Sequence, residues 1–324
     1  MDANRLRMLA RVAEMYYISK LSQSQIAARM GYSRSMVSRL LSEAHEKGVV
    51  EIRINHPLQR HFDLEDLLTA YLDLQYARVL QHSLPNYAET LSTVGALAAQ
   101  LLEELLEDNL LIGTSWGTGV YETIRALNSF PLNDIKVVQM LGSLGTSNPT
   151  IDGPEIVWRL AEKLFGHYAT LPVPLLVESE ATRHSLLSAP HLASVIESYQ
   201  RIDLALVGIG TVSPARASLL RAGYMDVNQL EELRQAGAVG DVCVNHFDIH
   251  GNIIDTPLTR RLVTISTEDL LRIPLKVGVA ISREKVAPIV GACRAGLVNA
   301  LVTDEKTATE VVKMIQGEIV TNVN

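Results

Sequence analysis

From Tyr76 onward, short apolar runs alternate with segments of helical period, and no other feature constrains the fold of this chain so tightly. The runs are ARVLQ (77–81), NLLIGT (109–114), IKVVQML (135–141), DLALVGIG (203–210), LKVGVAIS (275–282) and LVNALVT (297–303). Between them lie 87–106, 154–165 and 285–295, with apolar residues at helical spacing. A strand apolar along its whole length is buried on both faces, which requires helices on both sides of the sheet. The pattern therefore predicts an α/β domain built on a doubly wound, largely parallel sheet. Ligands of such sheets sit beyond the carboxyl ends of the strands, so the loops there carry the chemistry.

Four of those loops stand out. GTSWGTGV (113–120) follows one run and opens a helix, so its backbone N–H groups and the hydroxyls of Ser115 and Thr118 can hold an anion or a sugar hydroxyl. It is neither a Walker loop, since no Gly-Lys-Ser/Thr follows, nor a dinucleotide fingerprint. MLGSLGTSNP (140–149) is glycine-rich after the next run. Either loop alone reads equally well as a tight turn needing glycine for its backbone; two on adjacent strands favour a binding site. In HFDIHGN (246–252), His246, Asp248 and His250 would share one face of a strand, as a metal site requires. However, Gly251 and Asn252 signal a turn, and no fourth ligand accompanies them, so no metal is expected and Asp248 reads as a hydrogen-bond acceptor for hydroxyls. AISREKV (280–286) carries Lys285, which spacing alone leaves solvated.

The amino-terminal stretch has a different character. Residues 1–60 hold ten Arg or Lys against five Asp or Glu, whereas the rest of the chain holds 19 against 31. A basic head on an acidic body suits a polyanionic partner. Ser22 followed by Gln25 forms a capping-box pattern ahead of Ile26, Ala27 and Met30, predicting a short helix over 23–30 that Gly31 ends. Ser33 then caps a second helix, in which Met36, Val37, Leu40 and Leu41 make a buried stripe. This is a helix-turn-helix. Arg34, Ser35, Ser38 and Arg39 lie on the exposed side of the second helix, where a recognition helix meets base edges and phosphates; Gln23 and Ser33, at the two helix starts, complete the candidate DNA-binding set. An upstream helix over 4–17 packs Leu6, Leu9, Val12 and Ala13 behind the pair, and VVEIRIN (49–55) alternates like the strand of a wing. Leucines at 64, 67, 68, 72 and 74 predict a packing helix over 63–74.

Other classes are excluded on simple grounds. No apolar run approaches the roughly 18 residues of a membrane span, and the early charges of MDANRLRML do not suit a signal peptide, so a cytoplasmic protein is expected. Cys243 and Cys293, far apart, read as two buried small hydrophobes rather than a disulfide or zinc site.

Taken together, these motifs give the chain a resemblance to the SorC-type sugar-binding transcriptional regulators over nearly its full length. In the head it is carried by 21–54, which is similar to the family's L-S/T-Q-x-x-I-A-x-x-x-G-x-S-R-x-x-V-S-R-L-L signature; in the body by GTSWGTG, VVQMLGSLG, DGPEIVWRLAEKL, LVGIG, AVGDVCVNHFDIHGN and REKVAPIVGACRAGLVNALVTDEKTA, in the family's order. The resemblance implies a large domain similar to sugar-phosphate isomerases and glucosamine-phosphate deaminases, kept as an effector sensor without catalysis or cofactor. It implies a ligand lying across Ser115, Gly117 and Thr118 and across Gly142, Ser143, Leu144 and Gly145, with Asp248 and Lys285 meeting hydroxyl or phosphate oxygens. One departure matters. Some relatives carry a Schiff-base lysine in the loop after the third strand, whereas this loop reads Gln139, Met140, Leu141, Gly142. With no Arg or Lys between Lys136 and Arg159, a phosphate is left to amides, hydroxyls and Lys285, and an unphosphorylated sugar or polyol stays open.

The resulting expectation is a winged helix-turn-helix domain over 1–56, a packing helix within 57–76 and an effector domain over 77–324. The chain is expected to bind operator DNA under control of a sugar, polyol or sugar phosphate. Since one head covers one half-site, at least a homodimer is required, and the resemblance favours a tetramer. The rival is an active isomerase or deaminase using Asp248 or Lys285 for proton transfer. Catalysis does not need the head.

Overall fold

Local capping shapes the amino-terminal helices. The computed structural model describes residues 3–50, 58–82, 84–145 and 149–323, in two units, Met1–Pro57 and Leu58–Asn324. In the first, α1 (Ala3–Ala13) runs on through a π-helical turn, Glu14–Ile18. Ser22 then caps α2 (Gln23–Met30), its hydroxyl accepting the Gln25 N–H at 3.3 Å while the Gln25 side chain accepts the Ser22 N–H at 2.9 Å. Gly31 ends α2 at φ +70°, a left-handed conformation that glycine adopts without a Cβ penalty. Ser33 caps α3 (Arg34–Glu46) by accepting the Met36 N–H at 3.2 Å. Leu9 and Val12, Ile26 and Ala27, and Val37, Leu40, Leu41 and Ala44 close one small core among the three helices. Of the wing predicted over 49–55, residues 51–55 lie outside the described residues.

In the second unit, seven parallel strands form the sheet: β1 (Tyr76–Leu80), β2 (Leu111–Thr114), β3 (Lys136–Gln139), β4 (His167–Ala169), β5 (Leu204–Gly208), β8 (Leu275–Val279) and β9 (Ala300–Asp304). Between β5 and β8 the chain makes a separate antiparallel hairpin, β6 (Gly240–Val242) and β7 (Asn245–Phe247). The sheet order is β1-β9-β8-β5-β2-β3-β4. Six of these strands coincide with the apolar runs. The seventh, β4, escapes that pattern because it is an edge strand whose His167 and Tyr168 are exposed. The hairpin escapes it because its strands are three residues long.

Helices cover both faces. On one, α5 (Tyr87–Leu105), α6 (Thr118–Ala126) and α7 (Gly153–Lys163) bury Leu97, Leu101, Ile124, Ile156 and Leu160 against Ile112, Val137 and Leu206. On the other, α4 (Phe62–Leu72) and the helices Val286–Arg294 and Glu305–Val323 pack with Val79, Val207 and Leu301. The leucines predicted to form a packing face divide as a helix demands: Leu64, Leu68 and Leu72 are buried, with Leu74 just beyond, while Leu67 is exposed. Burial of each such leucine stabilises by about 1.5–3 kcal/mol relative to exposure.

Candidate ligand cleft and DNA-reading helix

Sheet order decides where the cleft opens. From β2 the chain winds outward through β3 and β4; from β5 it winds the opposite way through β8 and β9. The crossovers therefore part beyond the carboxyl ends of β2 and β5, and a cleft opens at that switch point. Ser115–Gly119 line it after β2, Gly208–Gly210 after β5, and Ala280, Ile281 and Lys285 after β8, with Asp241, Cys243 and Val244 entering from the hairpin. It encloses about 110 Å³ of water-accessible space. That is roughly seven to eleven water-sized spheres, the bulk of a monosaccharide rather than a dinucleotide.

Each wall has its own chemistry. Gly117 precedes α6 at φ +134°, and no side chain among the described residues caps that helix, so the first-turn amides at Thr118 and Gly119 border the cleft with the positive end of the helix dipole behind them. Ser115 is a strut: its Oγ accepts the Gly208 N–H at 3.1 Å, tying the loop after β2 to β5. Opposite lies Asp241, whose Oδ2 accepts the Val244 N–H at 3.2 Å. A Cβ at position 210 would stand 1.8 Å from Asp241 Oδ1, so any residue larger than glycine there displaces the Asp241 carboxylate. The hairpin tip is strained, with Cys243 and Val244 at φ 49° and 53°, the latter rare for a β-branched residue.

Three cations reach the same space. Lys285 donates from Nζ to the Ile209 carbonyl, and burial pushes its pKa down to about 8 although Asp241 pulls the other way. Arg216 and Arg221 come from the segment after β5. Neither was anticipated, nor was Asp241. The rule applied to the other strand ends reaches the two arginines only when it is carried through the long segment TVSPARASLLR after β5. With three cationic side chains and an open helix start against one carboxylate, the cleft favours a ligand with an anionic group.

Two sets of predicted residues are placed elsewhere. Gly142, Ser143, Leu144 and Gly145 do not border the cleft; among the described residues of that loop only Leu141 does. The amides predicted to hold a ligand are already filled by the chain: Asp152 accepts the Leu144 N–H at 2.9 Å, the Gly145 N–H at 2.9 Å and the Gly153 N–H at 2.7 Å. The Gly142 and Ser143 amides go to the Val263 and Val173 carbonyls. Glycine at 142 is needed for close approach, since a Cβ would lie 2.6 Å from the Pro174 carbonyl oxygen. Asp248 is likewise spent, its Oδ1 accepting the His250 and Asn252 N–H groups at 2.9 and 2.8 Å and its Oδ2 the Asn252 side-chain amide at 2.8 Å. It closes the turn that Gly251 and Asn252 signalled and lies outside the cleft lining. His246 is fully buried, and no cluster suited to a metal occurs among the described residues. Gln139, where a Schiff-base lysine would be sought, is buried with its amide donating to the Leu141 carbonyl and accepting from Leu171.

On the amino-terminal unit, Arg34, Ser35, Ser38 and Arg39 are all exposed along α3. Ser33 is occupied by its cap and by Ser35 Oγ at 3.0 Å, and Gln23 is half-buried at the start of α2. The Arg5–Glu43 ion pair ties α1 to α3 and holds the exposed row in place.

Two such modules on one chain define a class, the transcriptional regulators that read DNA with one module and sense a small molecule with the other. Residues 56–313 match the Sugar-bind family, a sugar-binding domain, and residues 10–47 match region 4 of sigma-70. The chain is 30% identical over 312 residues to the deoxyribonucleoside regulator of Bacillus subtilis, spanning 96% of this chain and 99% of that one. It is 28% identical to the sorbitol operon regulator of Klebsiella pneumoniae over 96% and 99% of the two chains. The crystal structure of full-length SorC from Klebsiella pneumoniae superposes with a TM-score of 0.72 at 27% identity, covering 96% of this chain and all of that one. The chain belongs to the SorC family of sugar-binding transcriptional regulators. No helix among the described residues is long and apolar enough to cross a membrane.

Proposed function

We propose that the cleft receives a sugar or polyol bearing an anionic group, in the first place a phosphate, and that its occupancy sets the affinity of paired α3 helices for operator DNA in the cytoplasm. One observation carries the reading: Lys285, Arg216, Arg221 and the uncapped start of α6 converge on a single cleft, with Asp241 as the acceptor for hydroxyl groups. Relatives named for a deoxyribonucleoside, sorbitol and erythritol support a small polyhydroxylated effector. In this scheme Arg34 and Arg39 contact phosphates and base edges, Ser35 and Ser38 fill in beside them, and Ser33 and Gln23 position the two helix starts. A homodimer or homotetramer supplies the second half-site, about 34–36 Å away or a multiple of it. A coupling of about 1–3 kcal/mol between cleft and head changes operator affinity some 5–150-fold. The cleft binds without catalysing.

Thermal-shift screening of sugars and polyols, each beside its own phosphate ester, tests the reading. At 100 times its Kd the effector adds about 2.7 kcal/mol of stability, and the phosphate esters are expected to lead the ranking. Equal response to neutral and phosphorylated members, or none to either, overturns it. One feature favours a second reading: a cleft lysine with a pKa near 8, close to Asp241, is suited to proton transfer. Conversion of a sugar phosphate followed by NMR, lost on Lys285→Met, would establish an isomerase instead.

A further inference from the structure

Arg216 engages two groups at once. Its guanidinium lies 3.9 Å above the Tyr87 ring, and its Nε is 3.5 Å from Oε2 of Glu284, the residue before Lys285. One side chain from the segment after β5 thus ties together the start of α5 and the turn Arg283–Lys285 beside the cleft. The two interactions differ in strength. At 3.5 Å the ion pair is longer than the roughly 2.7–2.9 Å of a charge-assisted hydrogen bond, and its side chains are 30% and 37% exposed, so it is weak and exchangeable. Glu284 itself is held in place, its backbone carbonyl accepting the Thr211 hydroxyl at 3.0 Å.

We propose that Glu284 is an internal competitor for the ligand: its carboxylate occupies Arg216 until an anion entering the cleft displaces it, and this exchange sets the threshold for anionic effectors. The inference rests on the reading of the cleft as an anionic-sugar site. A neutral sugar offers Arg216 only hydroxyl acceptors, weaker than a carboxylate, and leaves its pairing with Glu284 standing. An anion takes Arg216 over and releases the tie between the segment after β5 and the turn before the helix Val286–Arg294.

Inorganic phosphate, titrated into the full chain at constant ionic strength and followed by calorimetry, is the test. Glu284→Gln keeps the shape of the side chain and removes the competing charge; phosphate is expected to bind about 1.4- to five-fold tighter, the range of an exposed pair. General electrostatics alone would also favour an anion, so the same substitution is made on Arg216→Gln. There the gain is expected to vanish, because the competition is for that one guanidinium. If Glu284→Gln binds phosphate no tighter, or gains as much without Arg216, the competitor role is refuted while the cleft reading stands. If phosphate binding to the parent is indifferent to both Arg221→Gln and Lys285→Met, the cleft reading falls and takes the competitor with it.

Discussion

Replacing Asp152 by alanine tests whether the loop after β3 is an internal strut or an empty ligand site. The carboxylate is 8% exposed and accepts three backbone N–H groups, from Leu144, Gly145 and Gly153, while serving as the N-cap of α7. Loss of the cap costs about 1 kcal/mol. The Leu144 amide is then left buried without a partner, which costs about 1–3 kcal/mol, whereas Gly145 is exposed and recovers its bond from water. The sum is about 2–4 kcal/mol. At roughly 2–4 °C per kcal/mol for a domain of this size, calorimetry on Asp152→Ala is expected to show a melting temperature about 4–16 °C below the parent. Formate should restore part of that loss, since the vacated position gathers three converging donors. A melting temperature within about 1 °C of the parent would refute the argument, because it would mean that the three amides find partners elsewhere and that the loop remains free to hold a ligand.

Arg34→Ala or Arg39→Ala is expected to weaken operator binding and flatten its dependence on log salt concentration by about 0.9 for each phosphate no longer neutralised, with cleft binding unchanged; fluorescence anisotropy over a salt series measures both. Gly210→Ala drives a methyl group into Asp241 and should lower sugar affinity roughly as much as Asp241→Asn does, by the 1.5–3 kcal/mol of a charged hydrogen bond, at little cost in melting temperature. The Lys285 ammonium is disfavoured by burial, so its cation is lost as pH rises through about 8, and phosphate affinity is expected to fall between pH 7 and 9. In the unfolded chain the same lysine stays protonated up to its ordinary pKa near 10.4, so its contribution to stability rises over that window instead. Lys285→Met should abolish that fall.

Several parts of this protein are legible residue by residue because their causes are local. The capping box of Ser22 and Gln25, the left-handed Gly31 and the buried stripe of α3 each depend on neighbours within about four positions, and all three stand where the pattern puts them. Six sheet strands are legible for a related reason, since burial on both faces leaves an unbroken apolar run, while β4, exposed at the edge, leaves none. The loop Ser115–Thr118 is legible too, as glycines between a strand and a helix. The rest of the cleft is not local. Asp241, Arg216 and Lys285 come from three separate segments, and what brings them to one mouth is the order β8-β5-β2, which no short stretch encodes. The same cause explains the misplaced candidates. Asp248 and the amides of Leu144 and Gly145 have the right chemistry for a ligand, but side chains and amides within reach in the folded chain claim them first. Donor and acceptor types are a property of the sequence; whether each is already satisfied is decided by the tertiary structure, because a buried polar group pairs with whatever partner the fold brings near it.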